Sequence, residues 1–390
     1  MDDFIFNTTP SVRQVLGGSA RIGDLLKGMS PSAIHSKILF VTDAGIVKLG
    51  LAEPALASLD KCGFEVTVFD RVEPDPKAST ILDAVEIAKA KGISCVIGFG
   101  GGSSMDVAKL VALLSASDQK LDDIYGIDQA IGSRLPLVLV PTTAGTGSEV
   151  TAVSVVTTGT EEKKGVLSPI ILPDIALLDA ELTLGLPPHI TAATGIDAMV
   201  HAIEAFTSKS QNNNPLSKML AKEALTLLGA NIREVVFNGG NLRARSDMLL
   251  GSMLAGQAFA NSPVAAVHAL AYPIGSLFHV PHGLSNALVL CQVMKFNAPQ
   301  CEAQYAELAQ NIFPDIDVNR PSQAICSELI ERLAELSTDL GLEPGLKHVG
   351  ITSGDIDRLS TDAMKQKRLL ANNPREITLD DAVTIYSQAL

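Results

Sequence analysis

The sequence predicts a two-domain protein, in which a doubly wound α/β domain is followed by an all-α domain. In the first half of the chain, short apolar runs bounded by turn residues alternate with segments whose apolar residues recur at helical spacing. This is the βαβ alternation of a parallel sheet covered by helices on both faces. In the second half, helical spacing predominates and convincing strands are few. A chain of 390 residues is long enough for two domains with sizeable cores.

The predicted strands are short and almost continuously apolar, as expected for strands buried on both faces. They are placed at 37–43, 64–69, 95–100, 135–141, 153–158 and 175–178. Helical spacing follows the first three strands, at 47–59, 79–91 and 107–114.

Leu186-Pro187-Pro188 marks the change in character, and we place the domain boundary there. This gives an α/β domain over 1–186 and an α-helical domain over 187–390. The predicted helices of the second domain are 190–207, 215–232, 242–258, 300–313, 321–340 and 353–365. A cleft between two domains is the usual place for an active site, so we expect the site there.

The third predicted strand runs directly into a glycine- and serine-rich turn, GGGSSMD at 100–106, with a helix after it. Glycines allow a ligand to approach the backbone closely, and the first amides of a helix favour an anion. The turn therefore fits a pyrophosphate. It is neither a GxGxxG nor a Walker A motif, and a tight strand-to-helix turn with serine caps is the structural alternative. A second loop dense in hydroxyls and glycines, TTAGTGSE at 142–149, fits phosphate, ribose or a simple polar turn.

Four of the seven histidines fall between residues 195 and 282, and three of them join an aspartate in a candidate metal site. Asp197 and His201 are four residues apart and share one face of a helix, while His268 and His282 lie in an apolar, Gly- and Pro-punctuated stretch. Either feature alone is more often an ordinary polar face or a hydrogen-bonded core histidine. One carboxylate and three imidazoles, however, form a ligand set for iron or zinc, and buried charges need partners.

Composition narrows the class of protein and its partners. The net charge is −13 and basic runs are absent, so neither a nucleic acid nor an anionic membrane is the expected partner. The five cysteines are scattered and form no CxxC, which is typical of reduced thiols in a cytoplasmic protein. The N-terminus lacks the features of a signal peptide, and no apolar stretch is long enough to suggest a membrane span.

Several motifs together resemble the iron-dependent (group III) alcohol dehydrogenases, a family related to glycerol dehydrogenase and dehydroquinate synthase. The motifs follow in the order of the family over nearly the whole chain: GGGSSMDVAK at 100–109, PTTAGTGSEVT at 141–151, GIDAMVHAIEA at 195–205, VHALAYPIG at 267–275, PHGLSNA at 281–287 and NPREIT at 373–378. The resemblance implies a Rossmann-like N-terminal domain that binds NAD(P) and a helical C-terminal domain that holds one divalent metal.

The resemblance also implies roles for individual residues. The metal, with iron favoured and zinc possible, is held by Asp197, His201, His268 and His282. The cofactor lies along Gly101, Gly102, Ser103 and Asp106, with Thr142, Thr143 and Thr146 close by and Lys163 near the nicotinamide. Asp43 falls where the family contacts the adenosine ribose. A carboxylate there repels a 2′-phosphate, so we predict NAD over NADP.

Tyr272 departs from the family, because many members have a histidine at this position, which is given a role in proton relay. The tyrosine hydroxyl can donate a proton but is a poor base at neutral pH. We therefore expect Tyr272 to be a catalytic residue with an altered proton path. His279 is the one nearby rival to His282 as a ligand, three residues before it.

The predicted function is that of an alcohol dehydrogenase or aldehyde reductase, in which a metal activates the substrate oxygen and hydride passes between carbon and NAD. We expect a small aliphatic substrate and a homodimer or larger homo-oligomer. The substrate prediction rests on apolar residues near the ligands: Val264, Ala265, Leu270, Ile274, Leu277 and Phe278. The alternatives are a polyol or sugar-phosphate enzyme of the same superfamily, disfavoured because 260–290 has no Lys or Arg, a metal-dependent hydrolase, and a non-catalytic binding protein.

Overall fold

The computed structural model describes residues 4–29, 37–159 and 162–390, and the chain divides into two compact units. The α/β unit comprises Asn7–Thr143 and Gly147–Leu184. The helical unit comprises Gly185–Leu390 together with Ala144–Thr146 and the N-terminal residues up to Phe6.

The described part of the α/β unit contains two sheets and the helices that cover them. Its strands are β1 (Ser11–Gln14), β2 (Lys37–Val41), β3 (Glu65–Phe69), β4 (Cys95–Gly100), β5 (Gly126–Ile127), β6 (Leu137–Pro141), β7 (Val153–Thr158), β8 (Glu162–Leu167) and β9 (Ile175–Leu178). Its helices are α1 (Ile22–Lys27), α2 (Ala44–Lys48), α3 (Glu53–Lys61), α4 (Ala78–Lys91) and α5 (Gly102–Ser115).

The main sheet has six strands in the order β1-β9-β6-β4-β2-β3, and each pair of neighbours is parallel. Side chains alternate between its two faces: Leu39 and Val41 of β2 enter one apolar core, whereas Ile38 and Phe40 enter the other. Burial on both faces explains why these strands read as continuous apolar runs in the sequence. The predicted α/β class is confirmed.

The connections of this sheet create a topological switch point. After β2 the chain adds β3 on one side and then returns to add β4 on the other side of β2. The loops at the carboxyl ends of β2 and β4 therefore leave in opposite directions, and ligands of open α/β sheets bind in the crevice between such loops.

The run 153–158 is a strand, as predicted, but it lies outside the main sheet. It forms β7, which pairs antiparallel with β8 in a small sheet of order β5-β8-β7. The sequence of β8, EKKGVL, is largely polar in its first half, so it carried no apolar signal for a strand.

The helical unit is built from helices around one large apolar core. They are α6 (Pro188–Thr207), α7 (Pro215–Phe237), α8 (Leu242–Asn261), α9 (Ala266–Phe278), α10 (His282–Ile312), α11 (Ser322–Asp339), α12 (Ile356–Ala363), α13 (Lys367–Leu370) and α14 (Leu379–Ala389). The start of α7 shows how the sequence sets a boundary: Asn214 and Ser217 form a capping box, and Pro215 occupies the first turn.

The sequence did not reveal α9 or the first half of α10. Helix α9 is mostly apolar and contains Pro273, and a proline inside a helical pattern reads as a break. Helix α10 spans 31 residues and continues through Pro299. Across the described residues, none of the helices has the length and apolar character that crossing a bilayer requires.

Candidate metal centre and cofactor turn

Asp197 and His201 occupy one buried face of α6. They are one turn apart on a helix whose residues are almost all buried from Gly195 onward. The side chains of Asp197 and His201 are only 2% and 5% exposed. A carboxylate in such surroundings is costly unless it meets a cation or hydrogen-bond donors.

The other two candidate ligands lie on α9 and α10, the helices that the sequence did not predict in full. His268 lies in the first turn of α9, and His282 is the first residue of α10. One ligand atom from each of Asp197, His201, His268 and His282 lies within 4.8 Å of all the others. Within the described residues, this is the one group of three or more His, Cys, Asp or Glu side chains that converges in this way.

Close packing of two helix backbones makes this convergence possible. A Cβ atom on Gly283 would lie 2.4 Å from the carbonyl oxygen of Ala193 on α6 and 3.3 Å from Cβ of Asp197. Glycine therefore allows the start of α10 to touch α6, which brings His282 Nε2 within 3.7 Å of Asp197 Oδ1.

The electrostatics of the cluster suit metal ligands. Burial lowers the pKa of the His201 imidazole to about 3, against the opposing effect of Asp197, so the ring is neutral near pH 7. Burial alone would raise the pKa of Asp197, but the neighbouring imidazoles and an amide from Asn286 bring it below its usual range. A metal needs deprotonated donors, and the neutral imidazole of His201 and the carboxylate of Asp197 are such donors. The residues fit an iron(II) or zinc ion.

Two buried residues that the sequence analysis missed touch these four side chains. Glu204 Oε2 lies 2.6 Å from Nδ1 of His268, and Asn286 Nδ2 donates to Oδ1 of Asp197 at 2.6 Å. Helical spacing could have found both. Glu204 is three residues after His201, and Asn286 is four after His282, so each shares a helix face with a ligand.

Aromatic rings flank the cluster on two sides. Phe259 stacks on His201 with ring centroids 4.3 Å apart, and the ring of Tyr272 lies 6.0 Å from that of His282. His279, the rival ligand considered above, is exposed at the end of α9 with a left-handed φ of 55° and is not part of the cluster.

The apolar residues expected to surround the substrate belong mostly to the core. Val264, Ala265, Leu270 and Ile274 are buried, while Leu277 and Phe278 are partly exposed. The apolar residues of α9 occur on several faces of the helix, so periodicity could not separate core residues from lining residues here.

The glycine turn of the α/β unit lies at the carboxyl end of β4. Gly100 ends the strand with φ +150°, and a Cβ there would lie 2.7 Å from Oγ of Ser104 and 3.5 Å from Oδ2 of Asp43. Helix α5 begins at Gly102 without a side-chain cap on its first amides. The serine cap of the structural alternative is therefore not formed at the start of this helix.

Asp43 lies at the carboxyl end of β2, on the other side of the switch point. Its Oδ1 accepts from the amide of Ile46 at 3.0 Å and so caps α2. The second oxygen, Oδ2, is the atom that faces the Gly100 turn. The residue thus stands where an open α/β sheet binds its ligand.

Asp106 has internal partners for both carboxylate oxygens. Oδ1 accepts from Ser148 Oγ at 2.7 Å, and Oδ2 accepts from the amide of Val155 at 2.9 Å. The fully buried Lys109 donates to Ser148 Oγ at 2.8 Å. This network holds Ser148 and Val155 against α5 within the α/β unit.

The remaining sequence-predicted cofactor residues are divided between the two units. Gly101, Gly102 and Ser103 form the turn itself, Thr142 donates its amide to Gly100, and Thr143 Oγ1 lies 3.9 Å from where a Cβ on Gly101 would be. Lys163 forms an ion pair with Asp75 at 2.7 Å. Thr146 belongs to the segment Ala144–Thr146, which groups with the helical unit.

Comparisons with known proteins cover both halves of the chain. A family model described as "Iron-containing alcohol dehydrogenase" matches residues 12–180. A second, described as "Fe-containing alcohol dehydrogenase family, C-terminal", matches residues 191–390.

Individual relatives agree with these matches. Long-chain-alcohol dehydrogenase 1 of Geobacillus thermodenitrificans is 40% identical over 358 residues, which cover 90% of this chain and 89% of that protein. The solved structure of the alcohol dehydrogenase from Oenococcus oeni has a TM-score of 0.94 at 31% identity and covers 100% of both chains. Sulfoacetaldehyde reductase from Bifidobacterium kashiwanohense, solved in complex with NAD+, has a TM-score of 0.87 at 30% identity and covers 99% of this chain and 98% of that one.

The fold, the Asp-His cluster and these matches define an oxidoreductase of the class that acts on the CH–OH group of alcohols. The chain belongs to the iron-containing alcohol dehydrogenase family.

Proposed function

We propose that this protein is an NAD-dependent alcohol dehydrogenase or aldehyde reductase with one iron(II) or zinc ion bound by Asp197, His201, His268 and His282. The observation that carries the proposal is the convergence of four ligand atoms within 4.8 Å. When bound, the metal supplies Lewis-acid polarisation of the substrate oxygen, and NAD(H) accepts or donates the hydride. The family name supports iron over zinc.

The residues of the proposed site then have separate roles. The three imidazoles and the carboxylate hold the cation, and burial shields Asp197, His201 and His268 from water. Tyr272 is half-buried, and its ring lies beside that of His282. Its hydroxyl is our candidate for exchanging a proton with the substrate oxygen. We retain the division into a cofactor-binding domain over 1–186 and a metal-binding domain over 187–390.

The cofactor site proposed here follows the switch point of the sheet. We assign the backbone amides of Gly101, Gly102 and Ser103 to the pyrophosphate, and we retain Thr142, Thr143, Thr146 and Lys163 as further cofactor contacts. Asp43 reads the adenosine ribose. Because both oxygens of Asp106 are used inside the unit, we assign Asp106 to shaping this turn. The NAD+ complex of the sulfoacetaldehyde reductase supports NAD as the cofactor here.

A small alcohol or aldehyde is the proposed substrate. The rings of Phe259 and Tyr272 support it, because they place apolar surface beside His201 and His282. A polyol or sugar-phosphate substrate is the second candidate within the family. It has less support, because a phosphate would call for cations and 260–290 has no Lys or Arg.

The test is NADH oxidation with a panel of short aldehydes, on protein stripped with a chelator and then supplied anaerobically with Fe(II) or Zn(II). Activity restored by one metal supports the proposal and names the metal. If no metal restores activity and the protein does not bind NADH, the proposal is contradicted, and a hydrolase or a binding protein is favoured. NADH binding combined with turnover of phosphorylated polyols alone would favour the second candidate.

Two further parts of the proposal concern the protein in the cell. The five cysteines are free, which supports a reducing, cytoplasmic location. We also propose a homodimer or larger homo-oligomer, and light scattering on the purified protein measures this directly.

A further inference from the structure

We propose that Glu204 is a positioning residue of the metal centre, which fixes both the tautomer of His268 and the start of the helix that carries it. This inference rests on the proposed metal site. Its evidence is the geometry around one carboxylate that is 4% exposed and lies on the same face of α6 as Asp197 and His201.

Each oxygen of Glu204 faces one hydrogen-bond donor of α9. Oε2 lies 2.6 Å from Nδ1 of His268, and Oε1 accepts from the backbone amide of Val267 at 2.7 Å. An ionised carboxylate can only accept hydrogen bonds, so its partner on His268 must be an Nδ1–H group. A doubly used, buried carboxylate is a strong restraint, because charge-assisted hydrogen bonds are short and directional.

The Nδ1–H tautomer leaves the lone pair of His268 on Nε2. That atom faces the cluster, since Asn286 Nδ2 lies 3.4 Å from it and 2.6 Å from Oδ1 of Asp197. Glu204 therefore keeps the nitrogen that faces the ligands free of hydrogen. A carboxylate that accepts from the outer nitrogen of a ligand histidine also raises the basicity of the inner one.

The second hydrogen bond holds the helix itself. Val267 lies in the first turn of α9, where amides have no partner within the helix, and the N-cap residue Ala265 provides no side-chain cap. Glu204 supplies that cap from another helix, and the positive end of the helix dipole favours its negative charge. One side chain of α6 thus sets the position of α9 and the ring orientation of His268.

The test is Glu204→Gln, which keeps the shape of the side chain but has one acceptor oxygen. If that oxygen faces Val267, the amide NH2 donates to Nδ1 of His268 and the hydrogen moves to Nε2, which can then no longer bind a metal. If the oxygen faces His268, the NH2 opposes the amide of Val267 and α9 loses its cap. We expect the Kd for Zn(II) and Co(II), measured by chelator competition, to rise by about 10- to 100-fold.

A matched control separates this effect from general damage to a buried carboxylate. Asp179 is fully buried in the α/β unit and accepts from the amide and hydroxyl of Ser19 at 2.9 and 2.7 Å. Asp179→Asn should lower the unfolding temperature without changing the Kd for either metal. A second readout needs no variant: in the zinc-loaded wild type, nitrogen-15 NMR should show His268 protonated at Nδ1.

The outcomes distinguish the two levels of the proposal. If the wild type binds neither Zn(II) nor Co(II), the proposed metal site itself is wrong. If the wild type binds and Glu204→Gln binds equally well, the role of Glu204 is wrong while the metal site stands. Should the variant fail to fold, the NMR measurement decides, and an unprotonated Nδ1 on His268 would overturn the inference.

Discussion

At the scale of single residues, the four candidate ligands differ in exposure. Asp197 and His268 are each 2% exposed, whereas the side chain of His282 is 38% exposed. Removing His268 also deprives Glu204 of a partner, and an unsatisfied buried acceptor costs about 1–3 kcal/mol. Loss of either histidine should therefore abolish metal binding, whereas loss of His268 should lower the free energy of unfolding more than loss of His282 does.

We expect both His268→Ala and His282→Ala to lose the metal and the dehydrogenase activity while the fold survives. His268→Ala should lower the free energy of unfolding of the metal-free protein by at least 1 kcal/mol more than His282→Ala does, a rough estimate from the unsatisfied acceptor. Metal analysis, turnover and urea unfolding measure the three quantities. Full metal content with full turnover in either variant would show that the ligand assignment is wrong.

Glu149 gives a pH dependence at the residue scale. It is buried in the α/β unit, and burial raises its pKa from 4.5 to about 7. The native state therefore holds a proton that the unfolded chain releases above pH 4.5, so stability falls as the pH rises from about 4.5 to 7. A pKa shift of this size corresponds to a change of about 3 kcal/mol in the free energy of unfolding.

Glu149→Gln removes this titration. Relative to the wild type, the metal-free variant should become more stable by up to about 3 kcal/mol between pH 5 and pH 8, as measured from urea unfolding at the two pH values. A stability difference that does not change with pH would show that Glu149 does not titrate in this range.

Asp43 bears on cofactor choice. Its Oδ2 faces the Gly100 turn, where a carboxylate favours a ribose 2′-hydroxyl and repels a 2′-phosphate. Asp43→Gly should lower the ratio of kcat/KM for NADH over NADPH by at least about 10-fold, or about 1.4 kcal/mol, because the repulsion of the 2′-phosphate is lost. An unchanged ratio would mean that Asp43 does not contact the adenosine ribose.

At the scale of elements, the contact between α6 and the start of α10 controls where His282 stands. Gly283→Ala would place a methyl group 2.4 Å from the carbonyl oxygen of Ala193, so the two helices must separate. We expect a loss of about 1–3 kcal/mol in stability and a rise in the Kd for Zn(II), because His282 moves with its helix. Gly240→Ala is the control, since a Cβ there meets nothing within 4 Å, and it should leave the Kd unchanged. Equal Kd values for the two variants would contradict this account.

Elements with an uninterrupted apolar or helical pattern were predictable from the sequence, and an element interrupted by a proline was not. The strands at 95–100 and 175–178 and the helices α6 and α7 have clear patterns and lie close to where they were predicted. Helix α9 is apolar and contains Pro273, so its pattern predicted nothing. Glu204 was missed for the same reason, because its partners His268 and Val267 both lie on α9, which was not predicted. A sequence shows which side chains share a helix face, but not which helix that face meets.

At the scale of the whole molecule, the four candidate ligands all belong to the helical unit, whereas the glycine turn and Asp43 belong to the α/β unit. A ligand stabilises the parts of a protein whose folded state it binds, by about 2.7 kcal/mol at 100 times its Kd. Metal and cofactor should therefore protect different parts of the chain.

Hydrogen exchange measured by mass spectrometry can check this division. Addition of Zn(II) to metal-free protein should slow exchange in α6, α9 and the first turns of α10, while NADH should slow it around β4 and the start of α5. If Zn(II) protected the glycine turn as strongly as α9, the metal would not be confined to the proposed ligands.

The uneven exposure of the ligands also bears on how fast a metal enters and leaves. Asp197, His201 and His268 are enclosed by packed helices, whereas the side chain of His282 is partly exposed at the start of a helix. We therefore expect the three buried residues to release a bound ion only when the fold opens, and His282 to release it by rotation of its side chain. Exchange of the metal with solution should accordingly begin at His282. In the proposed site, all four residues would contribute to the affinity for the metal, while the lifetime of the loaded enzyme would depend most on His282, the most exposed of the four.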